Sequence, residues 1–133
     1  MTLHHVGVVV DDIERHSRCY AQALEMLPRT GIIEDSVQKV RVQFWGAPGQ
    51  VAVELIQPTT PDSPAHRALS KGGGLNHLGF HVGDIVECVA KAVADGAVCT
   101  CEPVRAAAFG GRRIAFVFYR HMGLIEFIER DLR

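Results

Sequence analysis

The chain repeats itself. A shift of 72 positions carries the string LHHVGVVVDDI at 3–13 onto LNHLGFHVGDI at 75–85, pairing Leu3 with Leu75, His5 with His77, Gly7 with Gly79, Val10 with Val82, Asp12 with Asp84 and Ile13 with Ile85. The same shift holds far downstream: Phe44 falls on Phe116, and Glu54, within VAVELI, falls on Glu126, within GLIEFI. A fixed period constrains the architecture before any element is assigned, because like segments fold into like units that share a core. At 133 residues the size prior is one domain, so each repeat is half of it.

The first repeat opens with a valine-rich strand over 3–10. Asp11 and Asp12 follow as helix caps, since an aspartate there accepts from free amides of the first turn. Ile13, Cys19, Tyr20, Ala23 and Leu24 recur at helical spacing and predict a helix over 13–24. Strands are expected over 28–33, 39–45 and 51–57, the last two joined through Gly46-Ala47-Pro48-Gly49. Pro58 to Pro61 breaks the chain, and Ser63-Pro64 then caps and opens a short helix to about Ser70. After the linker 71–74 the order returns: strand 75–82, helix 85–95 stopped by Gly96, then strands 97–103, 112–118 and 123–128, with a turn at Gly110-Gly111. The reading is an α+β domain of two tandem β-α-β-β-β modules, 1–60 and 75–133, joined by a helix and linker over 61–74. The modules form a curved mixed sheet with helices outside and a concave cleft.

Alternation on strands puts Glu54 on one face with Ala52 and Ile56, and Glu126 on one face with Leu124 and Ile128. Glutamates on solvent-facing sides would have polar neighbours two residues away, and these do not. A carboxylate taken out of water needs a partner, a hydrogen bond or a metal. His5 and His77 stand on the first strand of each half, each followed two residues later by a glycine that leaves room on the same face. Equivalent positions of a duplicated fold meet about its pseudo-axis, so His5, Glu54, His77 and Glu126 form a candidate site for one divalent metal ion. The bland alternative is a salt bridge for each glutamate, with Arg41 or Arg113 as partner. His4, His16, His66 and His121 have no matched partner, whereas His81 shares a strand face with His77.

The formal net charge of −1, without blocks of one sign, offers no footprint for nucleic acid or an anionic membrane. No apolar run approaches the roughly 20 residues that span a bilayer, and the opening residues carry no basic leader, so a cytoplasmic protein is expected. Cys19, Cys88, Cys99 and Cys101 lack metal-finger spacing and read as reduced thiols. Cys99 and Cys101 alternate on a strand and are expected to share a face.

On the paired modules and the positions His5, Glu54, His77 and Glu126, the chain resembles the vicinal oxygen chelate superfamily, which includes glyoxalase I, methylmalonyl-CoA epimerase, extradiol dioxygenases and bleomycin-resistance proteins. The resemblance implies that these four residues hold one divalent ion, Co, Ni, Zn, Mn or Fe. PTTPDSPAHRAL at 58–69, before GGGLNHLGFHVGDI, is most similar to the epimerases, although Asn76 replaces the first histidine of their pair. Those enzymes also place a catalytic glutamate where this chain has Val37, with Glu34 and Asp35 nearby but out of register. The implied function is a metal-dependent isomerase or lyase that removes a proton next to a carbonyl or thioester, with Glu126 or Glu54 as base and Arg112 and Arg113 as contacts for an anionic substrate. The substrate is a small molecule, an acyl-CoA or a thiol adduct, and the expected assembly is a homodimer. The alternatives are a glyoxalase I-like lyase and a non-catalytic small-molecule binding protein. An Fe(II) dioxygenase, which in this superfamily uses two histidines and one glutamate, is disfavoured by the fourth ligand.

Overall fold

Each half begins with a strand, and an aspartate then turns the chain into a helix. In the computed structural model, which describes residues 1–130, strand β1 (Thr2–Val9) leads to helix α1 (Ile13–Gln22), and strand β5 (Gly74–Val82) leads to helix α3 (Ile85–Ala94). The two caps are the same device. Asp12 Oδ1 accepts from the Arg15 amide at 3.0 Å and Asp84 Oδ1 from the Glu87 amide at 3.0 Å, while Ile13 and Ile85, next in sequence, are fully buried. The strands β2 (Ile33–Asp35), β3 (Val40–Trp45) and β4 (Ala52–Pro58) complete the first half, and β6 (Val98–Arg105), β7 (Arg113–Tyr119) and β8 (Gly123–Glu129) the second. Helix α2 (Pro64–Ser70) lies between them, its N-cap Ser63 accepting from the Ala65 amide with proline in the first turn, as the sequence predicts. Residues 131–133, the end of the expected second module, lie outside the described residues.

In the first half the strands pair in the order β2-β3-β4-β1 and in the second β5-β8-β7-β6. The pairs β1–β4 and β5–β8 are parallel, and β2–β3, β3–β4, β6–β7 and β7–β8 are antiparallel. The fold is therefore α+β on a mixed sheet. Two compact units divide the chain: His5–Asn76, and His77 onward together with Met1–His4.

Within the unit from His77 onward, α3 packs Ile85, Val89 and Ala92 against Ala115, Val117, Ile125 and Phe127, an apolar seat of the kind its periodicity predicts. Helix α1 is seated differently. Of the five residues expected on its inner side only Ile13 is buried, Tyr20 is half-buried beside the Trp45 ring at 5.8 Å, and Cys19, Ala23 and Leu24 are exposed. The seat is mixed: Ile13 clusters with Val10, Trp45 and Leu55, and polar contacts complete it, with Ser17 Oγ 2.6 Å from Gln43 Oε1, the Ile13 amide donating to Gln57 Oε1 at 2.9 Å and Arg41 donating to Glu14 at 2.6 Å. Apolar periodicity cannot register contacts of that kind.

The expected strand over 28–33 is corrected. Pro28 makes a single bridge to Trp45, and regular pairing starts only at Ile33. The segment between is held at the end of β3 by the Arg29 amide donating to the Phe44 carbonyl at 2.8 Å, and by side chains, with the Phe44 amide donating to Thr30 Oγ1 at 3.2 Å and Gln43 Nε2 to the Thr30 carbonyl at 3.0 Å. Proline has no amide to offer a ladder. A second correction falls on β6. Its register slips between Cys99, opposite Val117, and Cys101, opposite Phe116. One extra residue in a strand turns the next side chain to the other face, so Cys99 packs into the core under α3 while Cys101 stands on the opposite face, in line with Phe116.

Candidate metal centre

Register on the central strands builds the site twice. In the unit His5–Asn76, Gly7 lies beside Glu54 across the parallel pair and Phe44 lies opposite Glu54 across the antiparallel one. From His77 onward, Gly79 lies beside Glu126 and Phe116 opposite it. Residues directly paired across strands share a face, so each glutamate shares its face with a histidine, a glycine and a phenylalanine. The sequence repeat is thus a repeat of register, kept to the residue over three strands.

The side chains meet as this predicts. His5 Nε2 lies 3.3 Å from Glu54 Oε1, with side chains 0% and 6% exposed. His77 Nε2 lies 3.2 Å from Glu126 Oε1, with side chains 2% and 6% exposed. The Phe44 ring stands edge-on to His5 at 5.6 Å and 75°, and Phe116 to His77 at 5.2 Å and 89°. These rings wall each imidazole on the face that carries its carboxylate.

The bland alternative for the glutamates is removed by the arginines themselves. Arg41 donates to Glu14, and Arg113 forks onto Glu129 at 2.9 and 2.5 Å. Both project from strand positions one out of phase with Phe44 and Phe116, away from the glutamates. The Glu129 carboxyl is held below its ordinary range by the Arg113 guanidinium. Arg112 spends its Nε on the Phe109 carbonyl at 3.1 Å.

Each unit thus brings one imidazole and one carboxylate together in a buried pair, and all four residues are of ligand types that could hold a metal ion. The donor chemistry fits a first-row divalent cation, which accepts imidazole nitrogen and carboxylate oxygen together. So does the spacing within each pair. Bonds of about 2.1 Å set at right angles place neighbouring ligand atoms about 3.0 Å apart, close to both observed separations. A charge-assisted hydrogen bond is shorter, typically about 2.7–2.9 Å.

Other positions singled out by sequence have local roles. Val37 is 59% exposed, in the turn between β2 and β3. Asp35 is buried, and its carboxylate accepts from the Val37 amide at 3.0 Å and the Gln38 amide at 2.9 Å, which forms that turn. Sequence reasoning did not foresee its burial, although an aspartate two residues before the amides it caps is a turn signal. His81 stands edge-on to His4 at 4.7 Å.

The model of the Glyoxalase/Bleomycin resistance protein/Dioxygenase superfamily matches residues 4–116, a span that contains His5, Glu54 and His77. The chain belongs to this superfamily. Among curated relatives, the uncharacterized protein YqjC of Bacillus subtilis (strain 168) is 34% identical to this chain over 131 residues, covering 96% of this chain and 91% of YqjC. Among solved structures, hypothetical protein BH1468 from Bacillus halodurans C-125 superposes with a TM-score of 0.85 at 27% identity, covering 99% of this chain and 96% of that one. Methylmalonyl-CoA epimerase from Mycobacterium tuberculosis superposes with a TM-score of 0.83 at 25% identity, covering 98% and 88%. Among the described residues no helix is long and apolar enough to cross a membrane.

Proposed function

We propose that His5, Glu54, His77 and Glu126 together hold one divalent metal ion, and that the protein is an isomerase or lyase that removes a proton next to a carbonyl or thioester. The observation that carries this reading is the buried His–Glu pair found twice, in the same register and with the same spacing. Support comes from the superfamily and from structural likeness to a methylmalonyl-CoA epimerase.

When bound, such an ion polarises the substrate carbonyl and stabilises the negative charge that proton loss leaves behind. The chain supplies the rest. His5 and His77 are neutral donors fixed edge-on by Phe44 and Phe116, so their ring planes are set before substrate arrives. Glu126 or Glu54 takes the proton on a carboxylate oxygen; a glyoxalase-type reaction returns it to the adjacent carbon, whereas epimerisation needs a proton delivered to the opposite face of the same carbon, the task of the other glutamate. The exposed Val37 favours a carboxylate of the quartet as base, which is closer to glyoxalase I-like lyase chemistry than to an epimerase with a separate glutamate. The substrate classes to screen first are acyl-CoA thioesters and thiol adducts of 2-oxoaldehydes. A homodimer is the proposed assembly, read by light scattering.

The test is metal content by mass spectrometry on protein purified without tag or chelator, beside Glu54→Ala and His77→Ala. Near-stoichiometric Co, Ni, Zn, Mn or Fe in the parent, lost in both variants, is the expected result. A parent that carries none of these ions and cannot be loaded with any sinks the enzyme reading. For the base, Glu126→Gln that still binds metal and turns over at the full rate removes Glu126 from that role.

A further inference from the structure

The face of the sheet that bears His77 and Glu126 continues outward as an apolar track. Three registers join His77 to Leu124, Leu124 to Phe118 and Phe118 to Val98, one row across β5, β8, β7 and β6. Exposure grows along it: His77 is 6% exposed, Leu124 half-buried, Phe118 46% exposed and Val98 61%. The neighbouring row runs from Glu126 through Phe116 to Cys101, which faces this way only because of the bulge. None of Leu124, Phe118, Val98, Phe116 or Cys101 carries a charge at neutral pH. The matching face of the unit His5–Asn76 has no such opening, since Val40, Val42, Phe44, Ala52 and Ile56 are all buried.

We infer that the row Val98–Phe118–Leu124 is the seat of an apolar substituent of the substrate, an alkyl chain or aryl group attached to the oxygens that reach the quartet. The inference rests on the proposed metal site. It adds a direction: the substrate's tail leaves the centre toward the β6 edge, over the second half of the chain alone. Two large exposed side chains in direct cross-strand contact, continuous with a buried His–Glu pair, suit a hydrocarbon occupant and offer nothing to a phosphate or carboxylate at that end.

The experiment uses the full chain loaded with Ni or Co and straight-chain alkyl hydroxamic acids from acetohydroxamic to decanohydroxamic acid, which present two adjacent oxygens and a tail of chosen length. Binding is measured by calorimetry. In parallel, alkylation of Cys101 by N-ethylmaleimide is followed by peptide mass spectrometry, with the exposed Cys19 as internal reference. Affinity is expected to rise about two- to fourfold per added methylene until the row is covered, with Cys101 alkylation slowed at least fivefold by the longer members and Cys19 unaffected. Phe118→Thr and Val98→Thr, both good strand formers, are each expected to halve the gain per methylene or more. Affinity independent of chain length in the parent overturns the track, as does a chain-length gain that both variants retain. Acetohydroxamic acid that fails to bind the loaded protein refutes the metal site instead, and the two failures are read separately. Protection of Cys101 by protein concentration alone, relieved by Phe118→Thr, overturns the inference in favour of a second copy covering the row.

Discussion

Gly7 pairs in register with Glu54 across β1 and β4. The residue beside the carboxylate on the His5 side therefore has no side chain, and Gly79 repeats this beside Glu126. Both glycines lie in regular ladder positions, where any residue is tolerated by the backbone, so space is what they provide. Gly7→Val and Gly79→Val are each expected to leave the fold intact by circular dichroism and to weaken metal binding at least about tenfold, the scale of losses seen when groups supporting metal ligands are disturbed. Competition with a fluorescent chelator measures this, and full affinity in both variants removes the steric role.

The two helix caps make a matched pair for a stability test. Asp12→Ala and Asp84→Ala each remove one side-chain acceptor from an amide three residues on, at the same 3.0 Å. Each is expected to cost about 1 kcal/mol in urea unfolding, and the double variant should show the sum, because the sites share no partner. Unequal losses would show that the seat beneath the helix, part polar for α1 and apolar for α3, sets the value of its cap.

Phe44 and Phe116 are equivalent in sequence and register but not in burial, being 2% exposed and half-buried respectively. Phe44→Ala is expected to destabilise by about 3–5 kcal/mol through transfer and cavity terms, with a smaller loss for Phe116→Ala. Both should also weaken metal binding, since each ring braces a histidine. Thermal melts with and without added metal separate the two effects.

Arg113 and Glu129 give a pH dependence whose sign is fixed. Arg113 holds the Glu129 carboxyl below its ordinary value of 4.5 in the folded protein, and a group with a depressed folded value stabilises above its unfolded value and loses that contribution as pH falls through the folded one. Arg113→Ala should therefore melt slightly below the parent at pH 7, with the gap closing below about pH 4.5 and shrinking in high salt. A gap that widens on acidification contradicts the assignment.

Much of this was legible in the chain because it was written twice. The repeat carried the element order, both caps, the Ser63-Pro64 helix and the four residues of the candidate centre, each from periodicity or a local signal. What escaped were features set by contacts distant in sequence. Helix α1 is fastened by Ser17, Gln43 and Gln57, which no apolar pattern reports. The segment after Pro28 is held by the Thr30 and Gln43 side chains and by amide bonds converging on one carbonyl, that of Phe44, instead of a regular ladder. Asp35 was visible as an acid but not as the buried cap of an exposed turn, and the face of Cys101 depended on one unpaired residue.

That unpaired residue has a counterpart. A second slip separates Cys101, opposite Phe116, from Val104, opposite Ile114, and the two offsets cancel: residues before Cys99 and after Val104 keep the same parity, and only the short stretch between is inverted. The edge strand thus works like a message with two compensating frameshifts, in which a few letters change meaning and the rest stays readable. Removing the extra residue at either slip would leave the pairings on both sides of it as they are and smooth the strand, because each slip lies between fixed partners. Parity alone would put Cys99 and Cys101 on one face, and it is the extra length of the strand between them that sets the second thiol on the ligand-bearing side.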